Sequence, residues 1–438
     1  MSINKYILAT LGFGLAFVSR TVNALPSIEH WSLANGARIY FVEASELPLV
    51  QISAIFDAGS ARDKTGKYGI ACLTNAMLDE GAGELDVDEI ANQLDSVGAQ
   101  LSAGCGRDMA SLELRSLVAA RSLEPALAVF AQILQQPSFP DESFQRLREQ
   151  SLLSLRRVAQ SPAATVSKAF YELLYGNHPY AHSPRGDASG LTALSRADVV
   201  DFHRSHYGAA NLVLAIVGDV SKGEAKQIAN QLIGKLPAGT PAPPLPPVDD
   251  LDEPRELDIA FPSSQTHIRV GQPGLERDDS DYFPLYVGNY ILGGGGMVSR
   301  LYDEIREKRG LAYSTYSYFY PMRRKGPFTV GLQTENSQRD EALALVKSTL
   351  TRFIEFGPTE EELLGAKKNI TGGFPLRIDS NNDLLEYLSI IGFYKLPLTY
   401  LNDFVANVDA VTTAQILDAF RRRVDPKRLV TVILGGQP

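Results

Sequence analysis

The sequence is poor in the side chains that most often carry redox and metal chemistry, with two cysteines and six histidines in 438 residues. Two cysteines, Cys72 and Cys105, allow one disulfide at most. A core of this size needs no staple, and simple burial accounts for both thiols, so their pairing stays open. Basic residues are also scarce: 42 Lys and Arg stand against 51 Asp and Glu, for a net charge of −9, with no basic cluster. That excludes a nucleic-acid footprint, which needs positive charge to meet phosphate. Beyond the N-terminus no stretch is long and apolar enough to span a bilayer.

What is present begins with "MSINKYILATLGFGLAFVSRTVNALP", one lysine, an apolar run from Tyr6 to Val18, and small residues at Val22-Asn23-Ala24. A run this short suits a signal peptide, because a spanning helix takes about 20 residues. Cleavage after Ala24 and export to a periplasm are expected. The proline-rich, acidic stretch "LPAGTPAPPLPPVDDLDEPRE" (236–256) reads as an extended linker, since repeated proline can neither donate to a ladder nor continue a helix. It divides the mature chain into a first domain, 25–235, and a second, 257–438.

The two parts repeat each other. "DVVDFHRSHYGAANLVLAIVGD" near the end of the first matches "QILDAFRRRVDPKRLVTVILGG" near the end of the second. Asp201 and Asp418, Arg204 and Arg421, and Gly218 and Gly435 stand at one constant offset. A single repeat of this length signals a duplicated domain. "WSLANGARIYFVEAS" reads as a hairpin about Asn35-Gly36. Helical patterns run over 66–80, 86–97, 122–136 and 141–158, then over 282–292, 339–356 and 359–369, with strands in "SLELRSL", "QTHIRVGQPG" and "GPFTVGLQT". Strand groups mixed with long helices predict an α+β architecture, each sheet covered on one face.

Candidate sites are few. His178 with His182 and His203 with His206 have spacings that could place two imidazoles on one metal. One pair straddles a proline in a loop and the other has no glutamate in register, so both read as structural or surface residues. The run Gly293, Gly294, Gly295 and Gly296 lacks the lysine of a phosphate loop and follows a helical pattern. It reads as a segment that an extended substrate could approach closely. Arg306 and Tyr313 lie in "LYDEIREKRGLAYS". Arginine can clamp a carbonyl and a tyrosine hydroxyl can donate to a developing oxyanion. Equally, Arg306 could belong to a solvated charge run and Tyr313 to an aromatic strand.

Taken together, the duplicated domain, "NGARIYFVE", "DAGSARD", "NHPYAHSPRG" and above all "LYDEIREKRGLAYS" make the chain resemble the M16 zinc peptidases, the family of pitrilysin and the mitochondrial processing peptidases. The resemblance implies two homologous α+β domains forming half of a clamshell around a peptide-holding chamber. Active members carry His-x-x-Glu-His on a helix and a distal glutamate about 77 residues on. That pattern falls on Cys72, Asn75, Ala76 and Leu153, none of which is the family's residue, and no histidine stands between His30 and His178. These positions imply a degenerate site and no metal bound by this chain.

The arginine and tyrosine that active members use on substrate match Arg306 and Tyr313. The resemblance therefore implies one subunit of a divided enzyme, with zinc in a homologous partner that carries His-x-x-Glu-His and with unfolded or extended peptides as substrate. Two other readings stay open: a noncatalytic peptide-binding or assembly protein of the same fold, and, less well supported, a peptidase using Cys72 itself.

Overall fold

The computed structural model describes residues 27–436, so the expected leader, 1–24, lies outside the described residues. The first sheet comprises β1 (Glu29–Ser32), β2 (Arg38–Glu43), β3 (Leu49–Phe56), β4 (Gln100–Cys105), β5 (Ala110–Leu117) and β6 (Leu212–Gly218), in the order β1-β2-β6-β3-β5-β4. Only β2 and β6 pair in parallel. Gly36, at φ 93°, makes the tight turn of the β1–β2 hairpin.

The second sheet repeats this order with β7 (Arg255–Ala260), β8 (Gln265–Pro273), β9 (Ala312–Phe319), β10 (Pro327–Glu335) and β11 (Val430–Gly435), arranged β9-β10-β8-β11-β7 with β7 parallel to β11. The chain thus has an α+β fold of two similar domains, each built on a mixed sheet. β4 and β9 occupy equivalent edges.

In the first domain α1 (Ile70–Ala76), α2 (Ala120–Gln135), α3 (Asp141–Val158), α4 (Pro162–Tyr175) and α5 (Lys222–Ile233) follow the strands. In the second, α6 (Tyr282–Asn289), α7 (Arg339–Phe356) and α8 (Asn381–Tyr394) do so. The expected helices are present with boundaries shifted by a few residues; α1 is half the expected 66–80. Periodicity marks α2 and α5 as amphipathic, and they pack together over one face of the first sheet.

The sheets are not bare on the other face, as one-sided coverage would have them. Here the domains exchange helices: α8 of the second domain lies on β2, β3 and β6, while α4 of the first lies on β8 and β11. Each exchange needs a close approach. A Cβ on Gly392 of α8 would come within 2.6 Å of Val213 and 2.9 Å of the Tyr40 ring, and one on Gly271 of β8 within 2.9 Å of Phe170 of α4. Arg38 closes the first contact by donating to the Gly392 carbonyl at 2.7 Å.

A polar knot joins the domains beside these helices. Buried Asp108, in the β4–β5 turn, accepts from the hydroxyls of Tyr180 (2.5 Å) and Tyr394 (2.9 Å) and from the backbone N–H of Arg323 (2.7 Å). Asp57 likewise pairs with Arg62 and, across the interface, with Arg323 at 3.0 Å. The 236–256 stretch contains no helix and joins β7 only at its end, but it is a fastened strap: Leu245, Val248 and Leu251 are buried in a cluster with α4 and β11. Among the described residues no helix is long and apolar enough to cross a membrane.

Candidate functional site

Helix α1 starts from Gly69, at φ 102°, where a Cβ would also come within 2.8 Å of Leu191. No side chain of its own caps it. The carboxylate of Asp63 does so from the preceding loop, accepting from the N–H groups of Gly69 (2.7 Å) and Ala71 (2.9 Å). His182 holds Asp63 at 3.1 Å and the Ser60 carbonyl at 2.9 Å, and stacks on Tyr68. His178 meets the Pro246 carbonyl on the strap at 3.0 Å. This pair anchors loops, 178 fastening the strap and 182 setting the start of α1.

The residues along α1 are each committed elsewhere. Cys72 is disulfide-bonded to Cys105 at the end of edge strand β4, their Cα atoms 5.4 Å apart. Asn75 is 2% exposed; its amide donates to the Gly104 and Ser111 carbonyls at 3.0 and 3.3 Å, and its oxygen accepts from Tyr207 at 3.2 Å. Ala76 is exposed and offers no donor atom. Beside it lies a cavity of about 290 Å³, lined by Cys72, Ala76, Gln150, Ser151, Ser154 and Arg185 among others. The face of α3 turned to this cavity carries Leu147, Gln150, Ser151 and Ser154; Leu153, 55% exposed, lies off it.

These residues do not fit a zinc ion. A disulfide sulfur is not a thiolate, the Asn75 amide is spent on backbone carbonyls, and alanine and leucine hold nothing. Among the described residues no three His, Cys, Asp or Glu side chains gather to hold a metal ion. His203 and His206 are packing residues. His203 stacks on Tyr207, burial pushes its pKa down to about 4, and its Nε2 has no partner among the described residues; His206 meets the Phe202 carbonyl at 3.1 Å.

The second domain presents a different picture. After α6 the helix widens into a π turn, Tyr290–Gly294, and a second π turn, Asp303–Glu307, carries Arg306. Two of the acids around Arg306 are taken: Lys308 bridges Asp303 and Glu304, and Arg309 also pairs with Glu304, at 2.7–2.8 Å, while Glu307 is exposed and makes no ion pair with Arg306. Arg306 itself has no carboxylate partner among the described residues. It lies between two rings, its guanidinium carbon 4.9 Å from the centroid of Tyr302 and 4.5 Å from that of Tyr313, and it donates to the Tyr302 hydroxyl.

Tyr313 is aimed by a β-bulge. Ala312 pairs with Thr334 and Thr315 with Leu332, so β9 has one residue more than β10 over this span, and consecutive residues Tyr313 and Ser314 both face out. Tyr313 is 82% exposed, and its hydroxyl has no hydrogen-bond partner among the described residues. The geometry therefore offers a cation with free donors and a free phenol side by side. Tyr302 is the residue that sequence reading missed; its place four before Arg306 on a helical turn was the available signal.

The glycine run is mostly packing. A Cβ on Gly293 would come within 2.4 Å of Ser317, on Gly294 within 2.8 Å of Asn289, and on Gly295 within 2.7 Å of Tyr290. Asn289 and Ser317 lock this corner by exchanging hydrogen bonds at 2.7 and 2.9 Å. Only Gly296, at φ 61° and exposed, has open space about it, and it leads to the exposed Met297 and Val298. Of the four glycines, Gly296 is the one with open space around it, and Gly294 lines a neighbouring cleft.

Comparison with known proteins identifies relatives of the whole fold. Residues 40–187 match the family described as Insulinase (Peptidase family M16), and residues 193–370 that described as Peptidase M16 inactive domain. The chain is similar to the crystal structure of a peptidase M16 inactive domain from Pseudomonas fluorescens, at 40% identity and a TM-score of 0.90 over 94% of this chain and 98% of that one. It is 25% identical to a non-peptidase homolog from Helicobacter pylori over 99% of each. It is 27% identical to an uncharacterized zinc protease from Rickettsia bellii over 75% of this chain and 79% of that protein.

Proposed function

This chain belongs to the M16 peptidase family, and from that premise we propose that it is the non-zinc-binding subunit of a periplasmic heterodimeric peptidase, lending Arg306 and Tyr313 to a homologous partner that holds the zinc. One observation carries the reading: Arg306 is held against two tyrosines with no carboxylate paired to it among the described residues, while Cys72, Asn75 and Ala76 have no capacity left for a metal. One half of a reaction centre is kept and the other half is given over to structure.

In this role Arg306 holds a carbonyl of an extended peptide with directed N–H donors, and the Tyr313 hydroxyl donates to the oxygen on which charge develops. Gly296, with Met297 and Val298, borders the peptide's path. The degenerate positions Cys72, Asn75, Ala76 and Leu153 serve packing and surface. The Cys72–Cys105 disulfide supports export, because disulfides persist in oxidising compartments.

The test is to purify the mature chain alone, and together with a homologous partner that carries His-x-x-Glu-His but lacks the arginine-tyrosine pair. Zinc content and cleavage of a fluorogenic peptide are then measured. Zinc in the partner only, with cleavage by the mixture only, is the expected result. Zinc-dependent cleavage by the isolated chain would overturn the proposal, and a mixture indifferent to loss of Arg306 and Tyr313 would leave the noncatalytic binding reading in its place.

A further inference from the structure

Between helix α6, the glycine corner and β9 runs a cleft of about 310 Å³ that the reading above does not use. Its walls are aromatic, with Tyr282, Tyr286 and Tyr290 on one side and Tyr318 and Tyr320 on the other, and two arginines, Arg277 and Arg377, line it. Neither arginine has a carboxylate within 4.0 Å among the described residues.

The sequence around Arg277, "GLERDDSD", is rich in acid, so its isolation has to be explained. Asp281 is taken by Arg422 and Arg423 at 2.7 Å, Asp279 by Arg423 at 2.9 Å, and Glu276 turns to Arg324 at 3.6 Å. Arg277 is left with its Nε buried and unpartnered, its guanidinium carbon 5.3 Å from the Tyr394 ring centroid. Arg377 donates one N–H to the Tyr286 hydroxyl at 2.8 Å, and its other side-chain donors have no partner among the described residues.

Two unpaired guanidinium groups in an aromatic cleft ask for an anion attached to an apolar body. A guanidinium fork matches a carboxylate in shape, and tyrosine rings match an aromatic or branched side chain. We infer that this cleft binds the C-terminal residue of a peptide, its carboxylate held by Arg277 and Arg377 and its side chain by Tyr282, Tyr286 and Tyr290. The cleft shares Tyr290 and Gly294 with the turn that leads on to Gly296 and Arg306, so the bound end lies beside the path assigned to the peptide. The inference rests on the reading that the chain handles peptides, but it needs neither a partner nor cleavage.

Its test uses the mature chain alone and titration calorimetry with three short peptides. One is acetyl-Gly-Gly-Phe with a free C-terminal carboxylate, one is the same peptide as its C-terminal amide, and one is acetyl-Gly-Glu-Phe amide, which keeps the charge but moves it inward. The free acid should bind at least tenfold more tightly than either amide. Arg377→Gln, at an exposed position, and Arg277→Gln should each remove most of that preference, whereas Arg204→Gln, on the surface of the first domain, should leave it intact. Equal binding of acid and amide, tighter binding of the glutamyl amide, no binding of the free acid at millimolar concentration, or a preference that survives both Arg277→Gln and Arg377→Gln overturns the inference. Since this test reads binding by the isolated chain and the earlier one reads cleavage by the mixture, either reading can fail without the other.

Discussion

The guanidinium carbon of Arg306 lies 4.5 Å from the centre of the Tyr313 ring, a cation from a π turn set against an aromatic face that a bulged strand presents. Removing one such group from a site that stabilises developing charge costs roughly 100- to 1,000-fold in turnover. Arg306→Ala and Tyr313→Phe should each lower kcat of the assembled enzyme by about that much with little change in the melting temperature of this subunit, since both groups face outward. Tyr302→Phe keeps the ring and removes only the hydroxyl that accepts from Arg306, so its effect should be smaller. Steady-state cleavage at a fixed partner concentration checks all three; equal losses for Tyr302→Phe and Arg306→Ala would contradict the assigned roles.

The disulfide closes a loop between residues 33 apart, for which loop-closure entropy gives a stabilisation of about 3–4 kcal/mol. Reduction, or the double substitution of Cys72 and Cys105 by serine, should shift the urea midpoint by a corresponding amount. Thiol titration of the unfolded, unreduced chain should find no free thiol. A full complement of thiols in protein purified from an oxidising compartment would refute the pairing.

Acid should weaken the fold in a window set by His203. Burial holds its imidazole at about 4 in the folded chain, against 6.5 when unfolded. Between those values the unfolded chain binds a proton that the native chain refuses. Stability therefore falls as pH drops from about 6.5 towards about 4 and then levels, by up to about 3 kcal/mol from this group. His206 and His178 are shifted in the same direction, also by burial. His203→Phe should flatten the curve of unfolding free energy against pH over that window; an unchanged slope would contradict the buried, neutral state.

Asn75 makes a sharper case because its amide faces two carbonyl oxygens. Asn75→Asp keeps the shape but replaces the donor with an acceptor, setting like partial charges together in a buried place. It should destabilise by roughly 2–4 kcal/mol at neutral pH. The deficit relative to the parent should shrink in acid, where a protonated carboxyl can donate again. Chemical denaturation of both proteins at two pH values decides it, and a deficit independent of pH would mean that the carboxylate escapes to solvent.

The duplicated domain was legible because Asp201 and Asp418, or Gly218 and Gly435, keep one spacing through the chain. The β1–β2 hairpin followed from Asn35-Gly36, and α3 and α7 from uninterrupted helical patterns that match their observed limits. The helices that the pattern reading passes over include α4 and α8, the exchanged pair, buried against foreign strands. A helix face carries the same periodicity whichever sheet it covers, so the exchange leaves no local mark. The disulfide was equally hidden, because burial explains either thiol alone. Arg306 and Tyr313 could be named from their positions, but not the missing acid partner, the bulge or the second ring at Tyr302, which arise only when the π turn brings distant groups together. The glycine run carries a packing constraint that its sequence did not show: three of its members are small because Ser317, Asn289 and Tyr290 leave no room.

The exchange of α4 and α8 makes each half of the chain the other's lid. Cleavage of the peptide bond anywhere in the strap between Gly234 and Arg255 would not release two products: the nicked pieces would migrate together on a sizing column until denatured. Halves synthesised separately would each carry an uncovered sheet face and would regain solubility only on meeting. Gene duplication here did not yield two modules that can be shuffled independently. It yielded a mutual dependence, in which the second domain keeps a covered sheet only while the first is retained whole.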